Sequence, residues 1–487
     1  MLEKDVFEIV HLVRSWKSGA APINRIPPEI LALIPDFWRP PTRDRDLIAL
    51  THVCRAWRGA FISRSALWTD LDGVSVDKAK VYLERSKSYP IDLSLSGNKG
   101  PVFCDAFFGI ILRAIRRLRS LTFNGTQNYL DNISTHLSCP VPLLECLSIA
   151  GPNCYWYPVL TSAHFGGDLP SLRMLCLEWI RTELPWRTMV GLTSLKLVDI
   201  SSVSVGQLLD FFESAPRLCN VELLSATSTP DVQNGRLVSL ACRKKMYIDD
   251  GRLFPLLDHL LIPVGARLTT SVAVSARPIE DHPPRFLANL KNLHDFRRIR
   301  LSGCQSGTVR FSGPNGVVTM IHSGADYVTL SFLEYFDTSK TRRLGIYDGR
   351  SLFYRALLPM KDLRTLMLTG CVTPITFVRA LHPGMSPSGV VVCPKLEELV
   401  IEDWRELVMD DIIGMAAARE SRGVRLKLVR IVCPVQVDVL ELEKHVSRVE
   451  YDPKESGPTM TVMVAMRKID GRLRLKLLEF LTWLIPS

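Results

Sequence analysis

The feature that most constrains this 487-residue chain is an apolar unit of fixed spacing that recurs along most of its length. Each copy has large apolar residues at its first, fourth and sixth positions, as at Leu144, Leu147 and Ile149. Because alternate residues of a strand point to opposite faces, the fourth and sixth positions predict a strand with one buried face. The other copies begin at Leu118, Leu172, Leu192, Leu218, Leu257, Phe296, Tyr327, Leu363, Leu396 and Leu426. The chain therefore supplies many short strands that must bury the same kind of face.

The spacing between copies indicates how these strands are arranged. Successive first positions lie 20 to 39 residues apart. The shorter steps match leucine-rich repeats, and the longer ones leave room for an added helix or hairpin. Helical candidates at 107–117, 205–214 and 410–419 lie between copies. Such a unit cannot close a core alone, so we expect neighbours to stack into a parallel-stranded solenoid with an extended concave surface. An ordinary α/β domain whose buried strands share the pattern is the alternative.

The regular spacing is weakest in residues 265–325. Two alternating segments, 308–311 and 317–321, are joined by residues 312–316, which contain Gly, Pro and Asn. This arrangement predicts a β-hairpin. We treat the whole region as a candidate insertion that interrupts the solenoid.

The N-terminal part of the chain has different signals. Pro27, Pro28 and Glu29 mark the start of a short helix. A second helix, capped by Asp44 or Asp46, is expected to carry one apolar face. That face comprises Leu47, Leu50, Cys54, Trp57 and Phe61. So small a helical unit has more apolar side chains than it can bury, and we expect a partner or the following domain to cover the rest.

The order of motifs in this part resembles the F-box. The matching segments are Ile26-Pro27-Pro28-Glu29-Ile30, Val53-Cys54-Arg55-Ala56-Trp57-Arg58 and Leu67-Trp68. The continuation is similar to the F-box-like proteins that mushroom-forming fungi carry in large numbers, through 68–71, 82–88 and 90–93. A plain helical subdomain packed on the repeats is the alternative interpretation.

The resemblance implies a function that involves no chemistry by this chain. It implies the substrate-recognition adaptor of a cullin-RING ubiquitin ligase, which docks on a Skp-type adaptor and holds an unknown target protein on its repeats. The adaptor-binding residues that it implies are Ile26, Pro27, Ile30, Leu31, Leu47, Leu50, Val53, Cys54, Trp57, Leu67 and Trp68. The alternative function is a leucine-rich-repeat interaction scaffold without a ligase role, in which the helices cap the solenoid.

The predicted fold class is α/β. A small all-helical F-box-like domain is followed by an irregular leucine-rich-repeat-like solenoid with parallel strands. The expected boundaries are a helical lead-in at 1–22, the F-box-like domain at 23–70, a linker helix at 71–89 and the solenoid at 90–487.

Charge alone would suggest a nucleic-acid partner. The chain has 60 Lys and Arg against 50 Asp and Glu, a formal net charge of +10, and cations bind phosphates with counterion release. However, the basic clusters are short, scattered and interleaved with apolar residues, at 113–119, 297–300, 342–343 and 472–476. This pattern favours the solvated faces of half-buried elements, so we predict no nucleic-acid partner.

The sequence contains no recognisable catalytic or metal-binding motif. GxSxG, HExxH, GxxxxGK[ST] and GxGxxG strings are absent, and the 12 cysteines include no CxxC pair. We therefore predict no enzyme activity, cofactor or metal, and we expect most cysteines to be reduced and buried. The N-terminus lacks a signal-peptide layout, and no apolar run is long enough to span a bilayer. The expected location is intracellular, in the cytoplasm, the nucleus or both, without a membrane partner.

Overall fold

The computed structural model describes the chain in segments. They are residues 26–37, 43–96, 101–125, 138–152, 159–161, 163–183, 188–200, 203–225, 236–240, 245–249, 254–272, 289–290, 295–302, 307–322, 333, 336–347, 351–370, 374–385, 390–402, 409–433 and 439–453. The predicted lead-in at 1–22 and the copy that begins at Tyr327 lie outside these segments. The chain divides into two compact units, 1–263 and 264–487. The segment predicted as one solenoid, 90–487, therefore contains a unit boundary.

Unit 1 begins with three short helices, and the prediction of one long second helix is wrong. The helices are α1 (Pro28–Leu31), α2 (Arg43–Thr51) and α3 (Arg55–Ser63). Cys54, between α2 and α3, is extended, with φ −159° and ψ 175°. The Arg58 side chain donates a hydrogen bond from Nε to the Thr51 carbonyl at 2.9 Å, which satisfies a group that the end of α2 leaves unpaired.

Four described helices of unit 1 follow α3. They are α4 (Val76–Arg85), α5 (Pro101–Ile111), α6 (Val205–Ser214) and α7 (Phe254–Asp258). The helix predicted at 107–117 instead spans Pro101–Ile111 and is followed by a 3₁₀ turn, and the short helix α7 occupies a place where the sequence predicts the start of a copy. Short 3₁₀ turns occupy Ile34–Phe37, Ser65–Trp68, Leu112–Arg117 and His164–Gly167. At α6, Ser204 and Gln207 form a reciprocal capping box, so the predicted helix at 205–214 begins where its sequence signals place it.

The strands of unit 1 form a parallel ladder. They are β1 (Asp70–Asp72), β2 (Ile91–Ser96), β3 (Leu118–Asn124), β4 (Cys146–Ala150), β5 (Val159–Thr161), β6 (Met174–Glu178), β7 (Arg181–Glu183), β8 (Ser194–Val198), β9 (Asn220–Leu224), β10 (Val238–Ser239), β11 (Lys245–Asp249) and β12 (Leu260–Leu261). The ladder order is β1-β2-β3-β4-β6-β8-β9-β11, all parallel. Two small parallel pairs, β5 with β7 and β10 with β12, stand apart from it.

The register of this ladder confirms the predicted stacking. Leu147 pairs with Leu175, which pairs with Leu195, and the side chains of all three are buried. The first residue of each copy lies at the end of a tight turn; for example, the Leu172 amide donates to the Leu169 carbonyl at 3.1 Å. The same turn precedes Leu192, so one local geometry leads the chain into successive strands. The unit is therefore a mixed α/β repeat solenoid.

One predicted copy lies outside the ladder. Leu257 belongs to α7, and Leu260 belongs to the two-residue strand β12, which pairs with β10. The place in the ladder is taken by β11, whose buried side chains are Met246 and Ile248. The sequence pattern misses β11 because the first position of this copy is Arg243 rather than an apolar residue.

Within the described segments, unit 2 contributes nine strands, two of which form a hairpin. Its strands are β13 (Arg267–Val272), β14 (Arg298–Ser302), β15 (Gly307–Gly313), β16 (Gly316–His322), β17 (Arg343–Tyr347), β18 (Thr365–Thr369), β19 (Glu398–Glu402), β20 (Leu428–Val432) and β21 (Arg448–Asp452). The order is β13-β16-β15-β14-β17-β18-β19-β20-β21. Only the β16–β15 and β15–β14 pairs are antiparallel among these. The helices are α8 (Pro374–Leu381), α9 (Met409–Ser421) and α10 (Leu440–Glu443).

The predicted hairpin at 308–321 is confirmed as β15 and β16, and it lies between β13 and β14 in the sheet. A side chain at Gly313 would collide with the Asp295 carbonyl oxygen, so only glycine allows this close approach. Under the hairpin, the ring centroid of Phe311 lies 5.1 Å from that of Phe296 and 4.5 Å from that of Phe336. These contacts between aromatic rings hold the hairpin in place through the core on its buried face.

Arg419 on α9 is fully buried and binds backbone carbonyls instead of an acidic side chain. It donates to the carbonyls of Leu381 at 3.4 Å, Val392 at 2.9 Å and Cys393 at 2.8 Å. Burial lowers the pKa of this guanidinium. Arg419 thus joins α9 to the end of α8 and to the segment that enters β19.

The Leu175→Ala variant tests the stacking. It should lower the free energy of unfolding by about 2 to 5 kcal/mol, because it leaves a cavity between two buried leucines. Hydrogen exchange should increase mainly in β4, β6 and β8. The matched control is Met174→Ala, whose exposed side chain predicts a change within about 0.5 kcal/mol. Uniform loosening of unit 1 would instead indicate one globular core.

The Arg419→Met variant tests the buried guanidinium. Three buried carbonyls would lose their hydrogen bonds, so the free energy of unfolding should fall by about 3 kcal/mol. Chemical denaturation followed by fluorescence measures the change. The exposed Arg422→Met variant is the control, with an expected change within about 0.5 kcal/mol. Equal stability of the two variants would show that the carbonyl contacts contribute little.

Candidate functional site

The helices α1 to α3 and the segment after them hold the residues that the F-box resemblance singled out. Their side chains fall into three groups. Buried are Leu31, Leu47, Trp57, Leu67 and Trp68; partly exposed are Ile26, Leu50 and Cys54; exposed are Pro27, Ile30 and Val53. The helical face expected to meet a partner is therefore largely turned into the chain itself.

Trp57 and Trp68 hold the helical part together, and Trp68 joins it to α4. Trp57 is only 7% exposed, and its ring packs edge-on against Phe61 at 5.8 Å. Trp68 donates from Nε1 to the Phe61 carbonyl at 2.9 Å and packs edge-on against Tyr82 of α4 at 5.0 Å. The Arg85 guanidinium lies 4.3 Å from the Trp68 ring centroid. These tryptophans are thus core residues of unit 1.

The exposed apolar side chains of this region lie in α1 and in the turns that follow α1 and α2. Ile30 is 53% exposed, and Val53 is 54% exposed. Pro27 and Leu33 are also exposed, although Leu33 is absent from the F-box pattern and was not predicted. Large apolar groups in water are candidates for contact with a partner, because their burial is favourable.

The second candidate surface is the outer face of the unit 1 sheet, formed by the residues that alternate with the buried leucines. Charges on this face are paired. Arg119 contacts the Asp92 carboxylate through Nε at 3.0 Å and Nη2 at 2.5 Å, and the hydrogen bond raises the pKa of Arg119. Lys196 lies 2.8 Å from Glu178 and 3.7 Å from Glu222. Burial opposes the charged form of Lys196, but these carboxylates raise its pKa.

The middle of the same face carries small polar side chains and two thiols. Cys146 on β4 and Cys176 on β6 both point outward; Cys146 lies opposite Met174, Cys176 lies opposite Ser148, and the Cys176 Sγ lies 3.7 Å from Glu178 Oε1. Burial raises the pKa of both thiols. A catalytic thiol needs a lowered pKa, so these groups lack the activation that nucleophilic chemistry requires.

The cysteines depart from the expectation that most are buried. The seven in the described part of the chain are all free thiols. Cys393 and Cys433 are buried, and burial raises the pKa of Cys393 to about 12. Cys139 is exposed, and the others are half-buried: Cys54 lies at the start of α3, Cys146 and Cys176 lie on the open face of their strands, and Cys219 directly precedes β9. Among the described residues, no group of three or more His, Cys, Asp or Glu could hold a metal ion.

Comparison with known proteins adds little to this geometry. No family model matches the chain. No curated protein matches it. Among solved structures, it is similar to an LRR protein of Leptospira interrogans, with 13% identity and a TM-score of 0.26, over 74% of this chain and 95% of that one. The description as a repeat solenoid of leucine-rich-repeat type therefore rests on the strand register. No helix within the described segments is long and apolar enough to cross a bilayer.

Thiol alkylation tests the electrostatics of the outer face. At about pH 8, Cys146 and Cys176 should react more slowly with iodoacetamide than the exposed Cys139, because a raised pKa leaves less thiolate. The rate at Cys176 should rise as the pH is increased towards its raised pKa. Peptide mass spectrometry at timed quenches measures each site, and Cys393 should remain unmodified until the protein is unfolded. Faster labelling at Cys176 than at Cys139 would contradict this account.

Proposed function

We propose that this chain is a protein-binding repeat scaffold that recruits a target to a cullin-RING ubiquitin ligase. The outer faces of its sheets hold the target protein, and the N-terminal helices dock on a Skp-type adaptor and through it on the cullin complex. The observation that carries the proposal is the exposure of Pro27, Ile30 and Val53, which are F-box positions, in a helical unit whose other large apolar side chains are mostly buried.

The outer face of unit 1 is suited to a protein partner in its dimensions. Eight parallel strands spaced about 4.8 Å apart span roughly 34 Å. A typical protein interface buries about 800 Å² on each side, and this sheet is of that scale. The face contains paired charges, hydroxyls and thiols, a composition that supports recognition by shape and hydrogen bonds.

The burial pattern divides the F-box residues by role. Trp57, Trp68 and Leu47 stabilise the helical unit, whereas Ile30 and Val53 are available to a partner. Adaptor docking would cover these exposed side chains and remove the cost of leaving them in water. The expectation that Trp57 itself anchors the adaptor is therefore replaced by a role in positioning the helices.

A scaffold without a ligase role is the second candidate. The packing of Trp68 against Tyr82 favours it, because this contact fixes the N-terminal helices to α4 at the start of the repeats, where a repeat array needs a cap. In that case no Skp-type adaptor binds, and the helices serve as a cap. The two functions differ only in what the N-terminal helices contact.

The Ile30→Glu, Val53→Glu double variant separates the two functions. Anchoring residues of an interface contribute about 2 kcal/mol or more each, so adaptor binding should be lost while the fold is retained. Isothermal titration with a purified Skp-type adaptor measures binding, and circular dichroism measures folding. The control is Val264→Glu with Leu358→Glu, two side chains of similar exposure outside the helical region. If the parent chain does not bind the adaptor, or the double variant still does, docking through these residues is wrong.

A further inference from the structure

The outer face of the unit 2 sheet carries a cluster of five arginines that we name the arginine patch. Its members are Arg267, Arg298, Arg300, Arg310 and Arg343, and all five side chains are exposed. Arg300 on β14 lies directly opposite Arg310 on β15, and Arg298 on β14 lies opposite Arg343 on β17. The strand register thus brings together charges that are distant in sequence.

The patch differs from the other charged parts of the sheet faces because it contains no acidic partner. Within the described segments, none of the five side chains forms an ion pair or a side-chain hydrogen bond. By contrast, Arg430 on β20 lies 2.6 Å from Glu450 on β21. In unit 1, Lys196 and Arg119 are each paired with carboxylates. The patch is therefore a concentration of positive charge that the chain does not neutralise.

This arrangement has an electrostatic cost in the unbound protein. Like charges directly opposite each other on neighbouring strands repel. Burial, followed by repulsion from Arg300, Arg267 and Arg298, lowers the pKa of Arg310. Arginine nevertheless stays protonated at physiological pH, so the repulsion persists until an anion binds. An anionic ligand would be attracted electrostatically by all the surrounding guanidinium groups.

The side chains around the arginines are suited to a carboxylate. Guanidinium groups bind carboxylates through two parallel hydrogen bonds. Ser302 and Thr308 occupy outward positions on the same strands and offer further hydroxyl donors, whereas the Ser312 hydroxyl donates to the Arg298 carbonyl at 3.3 Å. Gly345 lies opposite Arg300 on β17, and the Tyr347 ring covers it, so an aromatic side chain borders the patch next to Arg300.

The limits of the patch argue for a short ligand. On the same face, β19 presents Glu398 and Glu402, whereas the Glu450 carboxylate on β21 is paired with Arg430 and Arg448. A long nucleic-acid strand that crossed the sheet in this direction would meet the two carboxylates of β19 and be repelled by them. A few consecutive acidic residues of a protein would match the arginines without extending past them.

We propose that the arginine patch binds a short segment rich in Asp and Glu in the target protein. This inference rests on the proposed function, because it names what part of a target the scaffold recognises. The patch would supply charge complementarity, which governs specificity and the rate of association more than the total affinity.

The test uses the full chain and a fluorescein-labelled hexaglutamate peptide, with hexaglutamine and a short oligothymidylate as comparison probes. The patch variant is Arg298→Gln, Arg300→Gln and Arg310→Gln. The matched control is Arg113→Gln, Arg116→Gln and Arg422→Gln, which removes three exposed positive charges outside the strands. Fluorescence anisotropy at about 50 and 300 mM salt measures binding, because screening strengthens over this range.

The patch variant should bind hexaglutamate at least about tenfold more weakly than the parent, and the control within about twofold of it. Its melting temperature at low salt should equal or exceed that of the parent, since repulsion is relieved. Equal weakening by both variants would indicate net charge alone and overturn the proposal. The proposal is also wrong if the parent binds hexaglutamate no more tightly than it binds hexaglutamine. If the parent binds oligothymidylate more tightly than hexaglutamate, and only the patch variant loses that binding, the patch is a nucleic-acid surface instead.

Adaptor binding measured on the same variants separates this inference from the proposed function. If the patch variant loses the peptide but keeps the Skp-type adaptor, both proposals are supported. If the parent binds the adaptor but fails the peptide test, only the patch proposal is wrong. If the peptide test succeeds without adaptor binding, the ligase role fails and the acidic-segment site remains.

Discussion

The structure depends on the in-register contact of buried apolar side chains along neighbouring parallel strands. Leu121, Leu147, Leu175 and Leu195 occupy equivalent positions in the unit 1 ladder, each beside the next. The same relation joins Leu366 to Leu399 in unit 2. Because side chains alternate along a strand, fixing this inner row also fixes which residues form the outer face. The candidate binding surface is thus a consequence of how the core is stacked.

Much of the fold could be predicted because the buried residues of the inner row recur in the sequence with the same local spacing. Where the first position is apolar, as at Leu144 or Leu363, the strand follows where expected. Where it is polar, the strand is missed: β11 has Arg243 at that position, and β17 has the buried Thr341, whose hydroxyl donates to the Phe296 carbonyl at 3.4 Å. The strand β21 also fits the pattern, through Val446, Val449 and Tyr451, although it is not among the predicted copies.

The candidate sites were less accessible to sequence reasoning because they depend on tertiary contacts. Trp57 and Ile30 belong to the same F-box pattern, yet one packs on Phe61 and the other faces water. No local signal distinguishes them. The arginine patch is a similar case, since Arg300 and Arg310 face each other only through the antiparallel register of β14 and β15. Periodicity shows that Arg298 and Arg300 point outward, but it does not show which charges they meet.

The hairpin formed by β15 and β16 has a consequence for the biosynthesis of unit 2. Among the pairings described within that unit, β13 joins the sheet through β16, and each of its residues pairs with one that lies 50 positions further along the chain. At a translation rate of about 5 to 20 residues per second, β13 leaves the ribosome several seconds before this neighbour exists. The β13–β16 pair therefore forms only after the hairpin has been synthesised, whereas β17 to β21 pair in the order in which they are made.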